Sequence, residues 1–302
     1  MHQAYLIINP TAGAGKTKKQ WPLINEYLKK IGFDFEGKET EAPGHAIKLA
    51  DDAVKKGYKN IVAVGGDGTV SEIVNGIYNA DGLNTVTLGI ISTGTGADYI
   101  RTIGIPGDYE EACNKLINPV TRNVDVGMVE CLKNGQTTSR LFVNFAGIGF
   151  DAEIVKATTQ KYKAMGRVSA YLLGLLSTLV SYKNKEVDIV IGNEKKRRRI
   201  CTVIMGNGKY GGGGMYTTPK AEIDDGLLDI LIVGDLSKPD LIQSLPTLYE
   251  GTHLNHPKVS LKKASEVTIN PLISMAVQAD GDIVGESPAT FKIIEEKLHL
   301  IV

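Results

Sequence analysis

The sequence predicts two domains: an α/β N-terminal domain with a mostly parallel sheet, then an all-β C-terminal domain with an antiparallel sandwich. Up to about residue 118, short β-branched apolar segments alternate with helical patterns of roughly ten to fifteen residues, as in a parallel sheet covered by helices. From Thr121 onward, strand patterns separated by turns dominate. A chain of 302 residues is also long enough to bury two moderate cores.

The composition excludes some classes of function. Lys plus Arg and Asp plus Glu number 34 each, so no overall positive field favours nucleic acid as a partner. The three cysteines are far apart and outside any metal-ligand spacing, which predicts reduced structural thiols in a cytoplasmic protein. The first residues enter a strand pattern directly, so we expect no signal peptide. The longest apolar segment, 170–180, would extend about 16 Å as a helix, too short to span a bilayer.

The chain opens with a predicted strand at 4–8, a glycine-rich loop at 9–17 and a helix at 17–31. The loop ends in Gly-Lys-Thr, as a Walker P-loop does, but Pro10 stands where that motif needs its first glycine. The Walker assignment therefore fails on spacing. Glycine-rich backbone between a strand and a helix can still bind phosphate through its amides.

A second strand at 33–40 and a helix at 44–57 precede the segment 60–77, which carries the strongest phosphate-binding signal. Mostly β-branched residues predict a buried strand, a glycine turn follows, and apolar residues then recur at helical spacing. The glycines let a ligand approach the amides at the helix N-terminus, where the dipole favours anions. Asp67 is the one acid of this turn. A carboxylate beside phosphates needs a divalent cation between them, so the turn predicts a nucleotide with Mg²⁺; a glycine turn capped by an Asp is the alternative.

A fourth strand at 87–91 leads into a third glycine-rich loop at 92–98, and a short helix is predicted at 108–118. All three glycine-rich loops follow a strand, so in a parallel sheet they meet at the edge where such folds bind ligands. The 94–99 segment lacks the third glycine of a dinucleotide fingerprint, which argues against an NAD-dependent dehydrogenase.

Strand patterns fill most of the remaining chain. We predict strands at 121–131, 139–146, 186–192, 198–206, 227–233, 259–270, 274–279 and 289–301.

Five segments carry a resemblance to one family. They are Asn9-Pro-x-x-Gly13, Gly65-Gly-Asp-Gly-Thr69, Gly94 to Asp98, Gly147-Ile-Gly-Phe-Asp-Ala152, and the run from Asn207 to Asp229. With these segments the sequence resembles bacterial diacylglycerol kinases, lipid kinases related to sphingosine kinases and NAD kinases, over nearly the whole chain. The run at 207–229 favours a lipid kinase over an NAD kinase. Ala97 departs from the family pattern, where Asn is common.

The resemblance implies a fold like that of NAD kinases and diacylglycerol kinases. Residues 1–120 would form the nucleotide-binding domain and 121–289 the lipid-binding β-sandwich, with a last strand at about 290–302 returning to the first domain. It implies ATP as phosphoryl donor, Mg²⁺ as cofactor, and diacylglycerol or a similar lipid alcohol as acceptor. The nucleotide-binding residues that it implies are Asn9, Pro10, Thr11, Ala12, Gly13, Thr40, Gly65, Gly66, Asp67, Gly68, Thr69 and Thr95.

Two acids are the candidate catalytic residues. Asp67 would position the metal and phosphates. Asp282, in Asp280-Gly-Asp282, stands where the family has the Glu of an Asp-Gly-Glu motif, so it is the candidate general base with a side chain one methylene shorter. Glu286 and then Asp280 are the alternatives for the base.

The resemblance also implies a structural Mg²⁺ site at Glu222, Asp225 and Leu227, where oxygen ligands would hold the cation. An ordinary Asp-Gly turn into a strand is the alternative.

Lysines such as Lys156, Lys163 and Lys183 flank the apolar 170–180 segment, which predicts a helix that meets an anionic bilayer; a helix covering the core is the alternative. The basic run 195–199 is predicted to be a solvated hairpin turn. We expect a cytoplasmic protein peripherally associated with membrane, a lipid substrate at the membrane surface and no nucleic acid, and we leave a homodimer open. The rival functions are an NAD kinase and a non-catalytic nucleotide-binding regulatory protein of the same fold.

Overall fold

The computed structural model describes residues 4–94, 96–161 and 167–302, and the chain divides into two units. The first unit takes in Met1–Val126 and Glu295–Val302, and the second takes in Gly127–Ile294. Both junctions fall a few residues later than the sequence boundaries at 120 and 289. The reason is strand pairing: Thr121–Val124 belongs to the sheet of the first unit, because it pairs with the C-terminal strand Leu298–Ile301.

The first unit alternates strands and helices. In chain order these are β1 (Ala4–Ile8), α1 (Ala12–Lys30), β2 (Phe35–Glu39), α2 (His45–Lys55), β3 (Asn60–Gly65), α3 (Asp67–Asn79), β4 (Thr87–Ser92), α4 (Asp98–Ile103), α5 (Tyr109–Ile117), β5 (Thr121–Val124) and, from the chain end, β16 (Leu298–Ile301).

Its six strands lie in the order β2-β1-β3-β4-β16-β5. All neighbours pair in parallel except β5 with β16, so the predicted mostly parallel sheet is confirmed. The strand β16, from the end of the chain, lies between β4 and β5. Helix α3 shows why the alternation forms: Val70, Ile73, Val74 and Ile77 repeat at helical spacing and are all buried.

The second unit is mostly strands. In chain order it contains β6 (Gly127–Lys133), β7 (Gln136–Phe142), β8 (Phe145–Gly149), α6 (Phe150–Lys161), α7 (Arg167–Ser181), β9 (Lys185–Ile191), β10 (Glu194–Gly206), β11 (Leu228–Gly234), α8 (Lys238–Glu250), a 3₁₀ turn (Thr252–Asn255), β12 (Val259–Ala264), β13 (Glu266–Pro271), β14 (Ala276–Ala279) and β15 (Asp282–Ile293).

These ten strands form one antiparallel sheet, which confirms the all-β class of the second unit. The sheet closes on itself because β9 pairs with both β13 and β10. The path β10-β8-β14-β15-β13-β9 therefore returns to β10, and its core includes Phe142, Met205 and Phe291, all fully buried. Closure leaves the six strands of this path without a free edge, whereas β7 and β12 each pair with one neighbour.

Four predictions about elements were wrong in detail. The segment 289–301 is not one strand, because it contains the end of β15 in one sheet and β16 in the other. The segment 121–131 is two strands, because the chain leaves one sheet after β5 and enters the other at β6. The segment 259–270 also divides, at Ser265. The basic run 195–199 lies within β10 and not in a turn: the turn is at Gly192, which has φ +56°, and Arg197 pairs with Asp188 across the hairpin at 2.8 Å. Among the described helices, none is long and apolar enough to cross a membrane.

Candidate functional site

Three loops meet in the first unit at the carboxyl ends of β1, β3 and β4. The backbone N–H of Asn9 donates to the Val64 carbonyl at 2.9 Å, and that of Thr93 donates to the Gly65 carbonyl at 2.9 Å. The Asn9 side chain also donates to the Thr69 hydroxyl at 3.0 Å. Residues far apart in sequence are thereby held at one edge of the sheet, where open α/β folds bind ligands.

Close packing of these loops requires glycine at two positions. A Cβ on Gly13, whose φ is +60°, would lie 2.3 Å from the Thr93 carbonyl oxygen. A Cβ on Gly94 would lie 2.7 Å from the Cα of Gly66. The first loop is further tied to the third by the buried hydroxyls of Thr17 and Thr93, which are 2.5 Å apart. The sequence does not predict this hydroxyl pair, because nothing in a single Thr signals a partner in another loop.

Two carboxylates converge in this cluster. Asp67 begins α3, and its Oδ2 accepts a hydrogen bond from the backbone N–H of Asp98 at 3.1 Å. An ideal Cβ on Gly96 would lie 3.3 Å from Asp67 Oδ2 and 3.7 Å from Asp98 Oδ2, so both side chains approach the same glycine. Two carboxylates beside glycine-rich backbone are suitable oxygen ligands for a hard cation that also binds phosphates. The residues present therefore fit Mg²⁺.

The other predicted nucleotide-binding residues are distributed around the same edge. Thr40 follows β2, and its N–H donates to the Ile8 carbonyl at 2.8 Å. Thr11 is held to Asn9 at the start of the first loop, because its N–H and hydroxyl both donate to Asn9 Oδ1, at 3.1 and 2.8 Å. Pro10 lies in that loop, Ala12 and Gly13 lie at the start of α1, where residues 13–15 have non-helical backbone, and Thr95 lies outside the described residues.

Ala97 adopts a left-handed backbone conformation with φ +54°, at the N-terminus of α4. Asn tolerates this conformation better than Ala does, because its short polar side chain bonds the nearby backbone. The departure from the family pattern therefore leaves a residue in a costly conformation at the edge of the loop cluster.

In the second unit, the candidate base follows a tight hairpin turn between β14 and β15. Asp280 and Gly281 have φ values of +47° and +86°, and β14 pairs directly with β15 on either side. Positive φ at both central residues defines a type I′ turn, for which Asp-Gly is a favoured sequence. The turn ends at Asp282, the first residue of β15.

The carboxylate of Asp280 is a structural anchor. Its Oδ2 accepts from Val143 N at 2.9 Å, and its Oδ1 accepts from Asn144 N at 3.0 Å and Phe145 N at 3.1 Å. Because both oxygens are engaged by backbone donors, Asp280 is poorly suited to accept a proton from a substrate. The alternative that made Asp280 the base is therefore disfavoured.

The segment that receives Asp280 is itself fixed by the 207–229 run. Asn207 donates through its side chain to the Val143 carbonyl at 2.9 Å, and the N–H groups of Asn207 and Gly208 donate to the Asn144 carbonyl at 2.9 and 2.8 Å. The Asn144 side chain returns a hydrogen bond to the Tyr210 carbonyl at 2.9 Å. The run at 207–229 therefore supports the turn before Asp282 through contacts more than sixty residues apart in sequence, which its local pattern does not predict.

Asp282 and Glu286 differ in their surroundings. The Asp282 side chain is 63% exposed, and Arg140 Nη2 lies 3.8 Å from its Oδ2. Glu286 is also exposed, but its carboxylate accepts a 2.5 Å hydrogen bond from the Ser274 hydroxyl. A carboxylate that a substrate hydroxyl can reach is required of a general base, which favours Asp282.

The predicted structural metal site is a cluster of acids with one lysine. Asp225 Oδ1 accepts from Leu227 N at 3.0 Å, while its Oδ2 accepts from Lys263 Nζ at 2.7 Å. Asp229 is fully buried, and both of its carboxylate oxygens lack a hydrogen bond, although Lys263 Nζ lies 3.5 Å from Oδ2. Burial raises the pKa of Asp229, Lys263 lowers it, and the Asp225 and Glu222 charges raise it further.

Asp225 and Asp229 therefore share the ammonium of Lys263, and the oxygen atoms of the two acids are of the donor type that a hard cation prefers. Within the described ranges, no group of three His, Cys, Asp or Glu side chains is already arranged as a metal site. A cation bound by Asp225 would have to compete with Lys263.

The cysteines are not candidates for chemistry. Cys113, Cys131 and Cys201 are free and buried. Burial raises the pKa of both Cys113 and Cys201 to about 12, so these thiols are neutral. Neutral buried thiols are weak nucleophiles and poor metal ligands.

Comparison with known proteins gives full-length matches. The family model described as diacylglycerol kinase catalytic domain matches residues 3–129, and the model described as YegS C-terminal NAD kinase beta sandwich-like domain matches 144–302. Diacylglycerol kinase of Bacillus subtilis (strain 168) is 30% identical, over 100% of this chain and 97% of its own. Diacylglycerol kinase of Staphylococcus haemolyticus (strain JCSC1435) is 30% identical, over 99% of this chain and 87% of its own.

A solved structure of a diacylglycerol kinase from Bacillus anthracis str. Sterne superposes with a TM-score of 0.73 at 24% identity. It covers 99% of this chain and 96% of its own, which supports the fold.

Proposed function

The chain belongs to the diacylglycerol kinase family of lipid kinases, and on that basis we propose that it transfers the γ-phosphoryl group of ATP to the hydroxyl of diacylglycerol or a similar lipid alcohol. The observation that carries this proposal is the convergence of Asp67 and Asp98 at Gly96, inside three glycine-rich loops at one edge of a parallel sheet. That arrangement offers backbone amides to phosphates and carboxylates to the accompanying cation.

The first unit would hold the phosphoryl donor. Loop amides at 9–13 and 65–69 and the N-terminus of α3 would bind the phosphates of ATP, whose negative charge the helix dipole favours. Asp67 and Asp98 would hold Mg²⁺, which when bound offsets charge on the transferring phosphoryl group. The hydrogen bond from Asp98 N fixes the direction of the Asp67 carboxylate before any ligand arrives. Such preorganisation avoids reorientation of the side chain during the reaction.

The second unit would supply the base. As the acceptor oxygen forms its bond to the γ-phosphorus, Asp282 would take the hydroxyl proton, and the bond from phosphorus to the β–γ bridging oxygen would break to release ADP. The type I′ turn and the Asp280 anchor place this carboxylate at a defined point of the sheet. Exposure of Asp282 leaves room for an acceptor hydroxyl to reach it.

We propose that the lipid binds beside α7 and α8. A cavity of about 190 Å³ has apolar walls from Phe150, Leu179 and Leu236, and its rim includes Lys183 and Lys238. Apolar walls suit an acyl chain and basic side chains suit anionic headgroups at a bilayer surface. Of the predicted basic residues, Lys163 lies outside the described residues.

Both helices also present apolar side chains to solvent. Leu176 and Val180 of α7 are 49% and 73% exposed, and Ile242 and Tyr249 of α8 are 53% and 59% exposed. Helix α8 has no buried residue. We propose that this α7–α8 surface meets the membrane that contains the lipid substrate.

The assignment of the base is tested by Asp282→Asn. The variant keeps the size of the side chain but cannot accept the proton, so we expect lipid phosphorylation to fall at least about a hundredfold with ATP affinity nearly unchanged. The measurement is transfer of labelled phosphate from ATP to diacylglycerol in mixed micelles, with ATP binding followed separately. Asp282→Glu should retain measurable activity, because it restores the family's longer base.

Glu286→Gln is the matched control, since Glu286 is an exposed carboxylate four residues away on the same strand. It should keep rates within about threefold of the unmodified chain. If Asp282→Asn keeps full activity while Glu286→Gln loses it, the base is Glu286 and the assignment of Asp282 is wrong.

A further inference from the structure

A buried glutamine connects the turn before Asp282 to the rest of the second unit. Gln278 lies on β14 and is fully buried. Its Oε1 accepts a hydrogen bond from the N–H of Gly281 at 3.0 Å, and its Nε2 donates to Asp151 Oδ2 at 3.0 Å. Only one orientation of the carboxamide satisfies both partners, because Gly281 N–H must donate and the Asp151 oxygen accepts.

Asp151 is in turn fixed on its other side. Its Oδ1 lies 2.6 Å from the Thr202 hydroxyl, which also lies 3.2 Å from the Ile148 carbonyl. A Cβ on Gly147 would lie 1.8 Å from Asp151 Oδ2, so the carboxyl group packs directly over that glycine. Burial raises the pKa of the Asp151 carboxyl, against the lowering effects of the hydrogen bonds from Thr202, Gln278 and the backbone.

The turn is therefore held at two points. Asp280 bonds the backbone of 143–145, and Gly281 bonds Gln278, which Asp151 holds in place. The first attachment fixes where the turn lies, and the second fixes the orientation of the peptide that precedes Asp282. Without the second, the Gly281 N–H would be left with no partner inside the unit, which favours movement of the turn toward water.

We propose that Gln278, held by Asp151, is a positioning residue that sets the direction of the Asp282 carboxylate during phosphoryl transfer. This inference rests on the proposed role of Asp282 as the base. A displacement of about 1 Å at a reacting group can cost on the order of a hundredfold in rate, so a misplaced turn should lower kcat without weakening nucleotide binding.

The test exchanges the carboxamide of Gln278 and the carboxyl group of Asp151 between the two positions. Gln278→Glu keeps the shape and the acceptor for Gly281 but places a second carboxyl group against Asp151. We expect kcat for lipid phosphorylation to fall at least about tenfold, with the KM for ATP unchanged. Adding Asp151→Asn should restore kcat to within about threefold, because the new amide donates to the new carboxylate and its oxygen accepts from the Thr202 hydroxyl. Gln136→Glu, the same change at an exposed position of β7, is the control and should match the unmodified chain.

The outcomes separate the inference from the proposed function. If Gln278→Glu leaves kcat unchanged, or if the double variant is no more active than Gln278→Glu alone, the inference is overturned. If Asp282→Asn remains active, the proposed base is wrong whatever the exchange shows.

Hydrogen exchange of the Gly281 amide, followed by NMR, provides a reading that needs no activity. Protection should be present in the unmodified chain, lost in Gln278→Glu and recovered in the double variant. Equal exchange in all three proteins would overturn the inference even if no lipid were ever phosphorylated.

Discussion

Asp280 and Asp282 are separated by one glycine, yet their carboxyl groups meet different surroundings. Asp280 accepts three backbone hydrogen bonds, while the Asp282 side chain is 63% exposed with Arg140 3.8 Å away. The first environment suits an anchor and the second suits a group that must meet a substrate. Two acids of α3 differ in a similar way. Glu72 is an anchor, because its carboxylate accepts from Gly44 N and Ala46 N at the start of α2, whereas Asp67 faces the loop cluster.

At the donor side we expect Asp67→Asn to lower turnover at least about a hundredfold, because the neutral amide no longer positions the cation and phosphates. Its Oδ1 can still accept from Asp98 N, so the thermal melting temperature should change little. Turnover and melting temperature are measured together. Asp81→Asn, at an exposed left-handed turn position that Asn tolerates, is the control. A folded Asp67→Asn variant with normal turnover would remove Asp67 from the mechanism.

At the acid cluster we expect Mg²⁺ to raise the melting temperature and a chelator to reverse the rise. At tenfold excess over its dissociation constant, a cation that binds only the folded chain stabilises by about 1.4 kcal/mol. Lys263→Met should enlarge the effect, since it removes the ammonium that competes for Asp225. Lys262→Met, which removes a lysine paired with Glu194, is the control and should respond as the unmodified chain does. If Mg²⁺ changes the melting temperature of neither the unmodified chain nor Lys263→Met, Lys263 is the sole counter-ion of the cluster and the metal assignment fails.

The sequence could predict which residue types carry the site but not how the acids divide the work. The glycine turn and Asp67 were visible as a pattern because that signal is local. The role of Asp280 depends on amides at 143–145, and that of Gln278 depends on Asp151, each more than a hundred residues away. Such contacts leave no trace in local spacing, and the role of Asp280 became clear only from the fold.

At the scale of elements, hydrophobic periodicity predicted the positions of individual strands and helices but not the features that depend on which strands pair. The strands β1, β3 and β4 and the helix α3 lie where the apolar pattern placed them, because each buries a regular face. The break between β5 and β6 is set by the sheet that each strand joins, and residues 125 and 126 lie in neither strand. Closure of the second sheet through β9 and β10 is likewise a long-range event that no single strand pattern reports.

Helices α7 and α8 give a prediction about membranes. Changing Leu176, Val180 and Ile242 to Ser should weaken sedimentation with anionic vesicles at least about tenfold, because exposed apolar groups are lost from the proposed contact. The melting temperature should hold, since the removed groups are largely solvent-exposed. Added salt should weaken binding of the unmodified chain by screening the lysines.

Leu272→Ser with Ile273→Ser is the matched control for vesicle binding. These two side chains are 62% and 68% exposed and lie in the same unit, after β13. If this double variant loses as much vesicle binding as the triple variant of α7 and α8, the effect is one of general surface hydrophobicity, and the α7–α8 surface is not the specific contact.

At the scale of the whole molecule, two folding units carry complementary chemistry. The first presents glycine-rich backbone and two carboxylates suited to a nucleotide with its cation, and the second presents a carboxylate on a supported hairpin turn. The family match extends across both units, so both belong to one lipid kinase. The return of β16 to the first sheet means that the first unit is completed only by the end of the chain.

The most direct test of the account is a single transfer assay. The unmodified chain is incubated with ATP labelled at the γ-phosphate, Mg²⁺, and mixed micelles containing diacylglycerol or other lipid alcohols; parallel reactions contain NAD instead of lipid. After solvent extraction, we expect label in an organic-phase phospholipid that depends on both the lipid alcohol and Asp282. Label in NADP, or no labelled product with any lipid alcohol tested, would contradict the proposal that this chain phosphorylates a lipid hydroxyl.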